Sequence, residues 1–80
     1  GSHVKALVEV AVEANVHTAD IVKRIRDWDG VEMVWEVTGD QDILVVADCP
    51  TTADLNGIID KIRAIPGTQA TRSRLILKEI

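Results

Sequence analysis

The sequence predicts a small α+β domain with the element order βαββαβ. Three observations carry that prediction: hydrophobicity that switches between a period of two and a helical period, turn or capping residues at each switch, and a weak repeat relating the two halves of the chain. The 80 residues hold 9 basic and 13 acidic side chains, a net charge of −4, and 46% of them are hydrophobic. One globular domain is expected from these figures. Gly1-Ser2-His3 reads as the remnant of a cleaved expression tag, which leaves residues 4–80 as the single domain.

From Lys5 to Glu13 the chain alternates, with Ala6, Val8, Val10 and Val12 on one face and Leu7, Glu9, Ala11 and Glu13 on the other, so a strand with one apolar face is expected. Thr18 is placed to cap a helix, with Asp20 in its first turn. Ile21, Val22, Ile25 and Trp28 form its apolar stripe, and Gly30 closes the unit. Val31 to Thr38 alternates again, Val31, Met33, Trp35 and Val37 against Glu32, Val34, Glu36 and Thr38, which predicts a second strand. Gly39-Asp40 signals a tight turn into a third strand between Asp42 and Asp48. The unbroken apolar run of that strand, Ile43 to Ala47, suits a position covered on both faces, and Pro50 ends it. Thr51 or Thr52 can cap a second helix whose Leu55, Ile58, Ile59 and Ile62 fall on one stripe. Gly57 inside it is expected to mark close packing of helix on sheet. Pro66-Gly67 turns the chain into a last strand from about Thr71 to Lys78.

Ile25-Arg26-x-Trp28-x-Gly30 recurs as Ile62-Arg63-x-Ile65-x-Gly67, and Ala6-Leu7-Val8 maps onto Ile43-Leu44-Val45 by the same offset. Two strand-helix-strand units with right-handed crossovers give a ferredoxin-like fold: a four-stranded antiparallel sheet with both helices on one face. The other face then carries Leu7, Ala11, Val34, Leu44, Val46 and Ile76, an apolar patch unsuited to water. A chain this short buries little core of its own. A sheet-to-sheet homodimer is therefore expected, with Glu9, Glu36 and Arg72 or Arg74 available for pairing across it.

Several functions are disfavoured by composition. An acidic chain without Phe or Tyr lacks both the positive field and the usual stacking platforms for direct nucleic-acid binding. No apolar run reaches membrane-span length and no signal peptide is visible. Cys49 has no partner for a disulfide, so a reducing, cytoplasmic setting is the expectation. His17 and Cys49 stand outside any metal-ligand spacing, and no Ser-His-acid set or glycine-rich phosphate loop can be named. No metal, no cofactor, no catalytic residue and no enzymatic activity are expected.

What remains is the hairpin Thr38-Gly39-Asp40-Gln41-Asp42 and the polar segment from Pro66 to Ser73. Turn amides, two carboxylates and the Thr71 and Ser73 hydroxyls could hold a zwitterion through charge-assisted hydrogen bonds. Local sequence alone favours the plainer account, in which they are turn chemistry and polar strand ends.

The string Glu36-Val37-Thr38-Gly39-Asp40-Gln41-Asp42-Ile43-Leu44-Val45, followed by Ile62-Arg63-x-Ile65-Pro66-Gly67 and Thr71-x-Ser73-x-Leu75-Ile76-Leu77, resembles the effector (RAM) domain of the Lrp/AsnC transcription regulators. The resemblance covers Val4 to Ile80. It implies a domain that dimerises through its sheets, joins into rings of dimers and binds a small effector, commonly a free amino acid, between them. It also implies ligand contacts at Gly39, Asp40, Gln41 and Asp42 of the turn and at Thr71 and Ser73 after the second helix. Gln41 stands where the family has an aromatic residue, and the helix-turn-helix of the full regulators is absent. The resemblance thus implies a stand-alone effector domain that could assemble with full-length Lrp/AsnC-type regulators. An assembly domain that works without ligand is the alternative.

Overall fold

The computed structural model describes residues 3–39 and 42–80. Strand β1 (Val4–Val12) leads to helix α1 (Thr18–Ile25), then to strands β2 (Val31–Glu36) and β3 (Ile43–Cys49), helix α2 (Thr52–Arg63) and strand β4 (Thr68–Leu75). The four strands form one antiparallel sheet in the order β2-β3-β1-β4. This is the ferredoxin-like arrangement that the order of elements predicts.

One core holds the layers together. Ala6, Val8 and Val10 of β1 alternate inward with Ile43, Val45 and Ala47 of β3, and meet Ile21 and Ile25 of α1 and Leu55, Ile58, Ile59 and Ile62 of α2. Each fully buried aliphatic side chain of this kind contributes roughly 1.5–3 kcal/mol of transfer free energy. Trp28 lies beyond the end of α1 rather than on it, packs on the core's edge, and carries Lys61 Nζ 4.2 Å from its ring centroid. Two glycines sit where a side chain would be strained. Gly30 has φ +87° with Ile58 Cδ1 2.8 Å from where a Cβ would stand, and Gly67 has φ +98° with Val16 Cγ2 at 2.8 Å.

The two helices start differently. Thr51 caps α2, its hydroxyl accepting from the Asp54 N–H at 3.1 Å. Helix α1 has His17 at the capping position with no side-chain cap, and Thr18, expected as the cap, instead donates its hydroxyl to Glu36 Oε1 at 2.5 Å. The hydroxyl is drawn to a carboxylate across the layers in preference to its own helix end. Gly57 also departs from expectation, because nothing lies within 4 Å of the position a Cβ would take. It does not mark close packing of α2 against the sheet.

Strand β2 carries the main correction. Val31 lies opposite Ala47, but Met33 lies opposite Val46, so one extra residue is accommodated between them and the facing of the strand reverses. Val34, placed by simple alternation on the uncovered face, lies opposite Val45 and packs against the core. Glu36, placed there too, turns to the helix layer where Thr18 meets it. Met33 and Trp35 take the uncovered face, 48% and 47% exposed, beside Val46 and Leu44.

Strand β4 begins at Thr68 rather than near Thr71, because the positive φ of Gly67 delivers the chain directly opposite Val12. It also ends earlier than expected, at Leu75, with one further ladder bond from the Ile76 N–H to the Lys5 carbonyl at 2.8 Å. The face away from the helices therefore presents Leu7, Glu9 and Ala11 from β1, Leu44 and Val46 from β3, and Met33 and Trp35 from β2. Arg72 lies opposite Glu9, and Ile76 joins this side next to Lys5.

Candidate functional site

At the β2–β3 hairpin the chain turns through Gly39, whose φ of +116° lies in the glycine region. Asp40 and Gln41, two of the expected contact residues, lie outside the described residues. Asp42 is half-buried and fastened at three points. Its N–H donates to the Val10 carbonyl at 2.9 Å, its carbonyl accepts from the Val37 N–H at 2.9 Å, and its Oδ2 accepts from the Val12 N–H at 2.9 Å. The side chain thus replaces a backbone acceptor where the β1–β3 ladder runs out. Among the described residues nothing bonds its second carboxylate oxygen.

The second group lies on β4. Thr71 faces Val10 and Ser73 faces Val8 across the β1 ladder, so the two residues share the helix-side face of an edge strand. Thr71 is half-buried and Ser73 is exposed. The Thr71 hydroxyl accepts a hydrogen bond from Arg63 Nε at 2.9 Å. Arg63 closes α2, where a cation also suits the negative end of the helix dipole. In the sequence Arg63 figures only within the internal repeat and the family resemblance, with no role attached. Its position in the last helical turn, eight residues before the hydroxyl it meets, was the available signal.

Register relates the two groups. Val10 lies opposite Ile43 on one side and Thr71 on the other, so Asp42 and Thr71 occupy the same end of the sheet with β1 between them. Two interstrand spacings separate their backbones by about 10 Å. Gly39, Asp42 and Thr71 lie toward one end of the sheet, and Ser73 lies two residues further along β4, opposite Val8 in the middle of β1. A cavity of about 440 Å³, lined by Gly30, Cys49, Pro50, Ala53, Gly57 and Ile58 among others, lies at the far end of β3 and holds none of them.

Two groups away from this end are shifted by their surroundings. Cys49 is 1% exposed, and burial pushes its thiol up, with the Asp54 and Asp48 charges adding to the shift. The hydrogen bond to Glu79 at 2.7 Å raises the Lys5 ammonium, and Glu32 at 3.4 Å reinforces it against some desolvation. Among the described residues no three His, Cys, Asp or Glu side chains gather as a metal site, and no helix is long and apolar enough to cross a membrane.

The family described as the Lrp/AsnC ligand binding domain matches residues 5–80. Homocitrate synthase of Sulfolobus acidocaldarius is 40% identical over 78 residues, which are 98% of this chain but 17% of that enzyme. The chain thus spans about a sixth of the length of the curated relatives it matches. A protein of Thermus thermophilus, TTHA0845, superposes in its crystal structure with TM-score 0.87 at 19% identity, covering 96% of both chains. A transcriptional regulator from Neisseria meningitidis, solved as a complex with L-methionine, superposes with TM-score 0.82 at 23% identity over 96% of this chain and 51% of its own.

Proposed function

We propose a function from one premise: the chain belongs to the Lrp/AsnC ligand-binding domain family. It is a ligand-binding regulatory domain, and the ligand we assign to it is a free amino acid acting as effector. The observation that carries this reading is the family match over residues 5–80; the contacts we propose within it include Gly39, Asp42, Thr71 and Ser73. The Asp42 oxygen that Val12 does not use suits an ammonium and the β4 hydroxyls suit a carboxylate, each charge-assisted bond contributing roughly 1.5–3 kcal/mol. The L-methionine complex of the similar Neisseria regulator supports the choice of ligand class.

Self-association belongs to the same proposal. Leu7, Ala11, Leu44, Val46, Met33 and Trp35 form an apolar face that a twofold copy would cover. Because Asp42 and Thr71 stand on either side of β1, neighbouring copies also supply the walls that one chain lacks, as in a ring of dimers. Partners of two kinds follow: an enzyme chain carrying the domain, as in the homocitrate synthase relatives, or full-length Lrp/AsnC-type regulators joined by mixed assembly. The proposed setting is the cytoplasm, where free amino acids report metabolic state. The binding step needs no catalytic group, metal or cofactor.

A screen of the twenty L-amino acids for thermal stabilisation at fixed protein concentration tests the reading. A ligand at 100 times its dissociation constant adds about 2.7 kcal/mol per site, which moves the melting point of a domain this size by many degrees. A selective shift that Asp42→Asn reduces is expected. No shift with any amino acid would favour the second reading, a ligand-independent assembly domain.

A further inference from the structure

We infer that Arg63 is the residue that receives the effector's carboxylate, an assignment that rests on the amino-acid-binding reading above and adds to it a residue that sequence pattern alone leaves without a role. The argument begins with what holds the side chain. Arg63 Nε donates to Thr71 Oγ1 at 2.9 Å, which uses one of the five guanidinium N–H groups and fixes the plane of the fork. The four N–H groups on the two terminal nitrogens remain, and their geometry matches a carboxylate bidentately. Among the described residues no carboxylate lies within ion-pair distance of Arg63, although acidic side chains outnumber basic ones by 13 to 9 in the chain.

The bond also fixes what Thr71 can do. Its oxygen accepts from Arg63, so its own hydrogen is free to donate away from the helix. Ser73 stands two residues further along the same face of β4, about 7 Å away, with a second exposed hydroxyl. A guanidinium fork, the Thr71 hydroxyl and the Ser73 hydroxyl together make a set of donors with a single positive charge. Such a set takes an anion and gives an ammonium no acceptor of comparable strength. The carboxylate of the ligand therefore belongs on β4 and its ammonium elsewhere, at the second carboxylate oxygen of Asp42 in this chain or in a neighbouring copy.

The alternative for Arg63 is a structural fastener tying the end of α2 to β4. The two roles separate by ligand chemistry, because a fastener has no preference between a carboxylate and its amide. Affinities of each L-amino acid that stabilises the wild-type protein, and of its α-carboxamide (L-methionine and L-methioninamide, for example), are measured on wild type, Arg63→Lys and Arg63→Met. Wild type is expected to bind the acid at least tenfold more tightly than the amide. Arg63→Met is expected to lower affinity for the acid at least tenfold while leaving the amide unchanged, and Arg63→Lys to retain part of the preference. Melting points without ligand confirm that the variants fold, and Arg63→Gln replaces Arg63→Met if that variant does not. Retention of the full acid-over-amide preference in a folded Arg63→Met or Arg63→Gln would overturn the assignment and leave amino-acid binding intact. Failure of every amino acid to bind the wild type would overturn the parent reading, and this assignment with it.

Discussion

Asp42 carries a role in the fold beside the ligand contact proposed for it. Its Oδ2 holds the Val12 N–H at 2.9 Å, so loss of the carboxylate removes a hydrogen bond to a charged group from a half-buried position. Asp42→Ala is expected to lower stability by about 1.5 kcal/mol, whereas Asp42→Asn keeps an oxygen acceptor for Val12 and should fall by less than half of that. Urea unfolding of both variants checks the difference. Thr68 presents the opposite case, a buried hydroxyl at the start of β4 with no hydrogen-bond partner among the described residues. Thr68→Val removes that unsatisfied group and is expected to raise stability by about 1 kcal/mol in the same assay. Cys49 and Lys5 govern the alkaline limb. The folded thiol is raised by burial, so the unfolded chain ionises first, binds fewer protons, and stability falls as pH climbs past the ordinary thiol range. Lys5, raised chiefly by Glu79, contributes below the ordinary lysine range and loses that contribution as pH rises through its folded value. Denaturation midpoints should decline above the thiol range, less steeply in Cys49→Ala.

At the scale of elements, what the sequence revealed depended on whether one face alone decided the structure. Alternation in β1 and the stripe Leu55, Ile58, Ile59 and Ile62 in α2 were legible because a single buried face repeats at a fixed period. Strand β2 was not, since its apolar residues fall on both faces and the extra residue after Val31 leaves no mark in local composition. Val34 and Glu36 were misplaced for that reason, and Met33 and Trp35 with them. Of the candidate site, Asp42, Thr71 and Ser73 were named through the family resemblance, local sequence alone favouring plain turn and strand-end chemistry. Arg63 required knowing that α2 ends over β4. Gly57 shows the limit of a propensity argument, because the residue that suggested close packing faces open space. Gly57→Ala is accordingly expected to stabilise α2 by up to about 1 kcal/mol, a rise of about 4–8 °C in Tm for a domain of this size.

The whole molecule leaves one layer unfinished. Helices cover one face of the sheet, while Leu7, Leu44, Met33 and Trp35 lie on the other, and the proposed dimer completes a sandwich there. Introducing a charge at its centre, as in Leu44→Asp, should halve the mass seen in sedimentation velocity while the far-UV spectrum stays unchanged, since Leu44 points away from the core. In the proposed ring of dimers, Asp42 of one copy and the Arg63–Thr71 pair of another would come within reach of a shared ligand, linking assembly to effector binding. Calorimetric titration of the assembled wild-type protein and of Asp42→Asn with the twenty L-amino acids tests this account most directly. It predicts saturable heat from at least one amino acid, at one site per chain, with affinity at least tenfold weaker in Asp42→Asn. Absence of saturable heat from all twenty, in protein that is folded and associated, would contradict it.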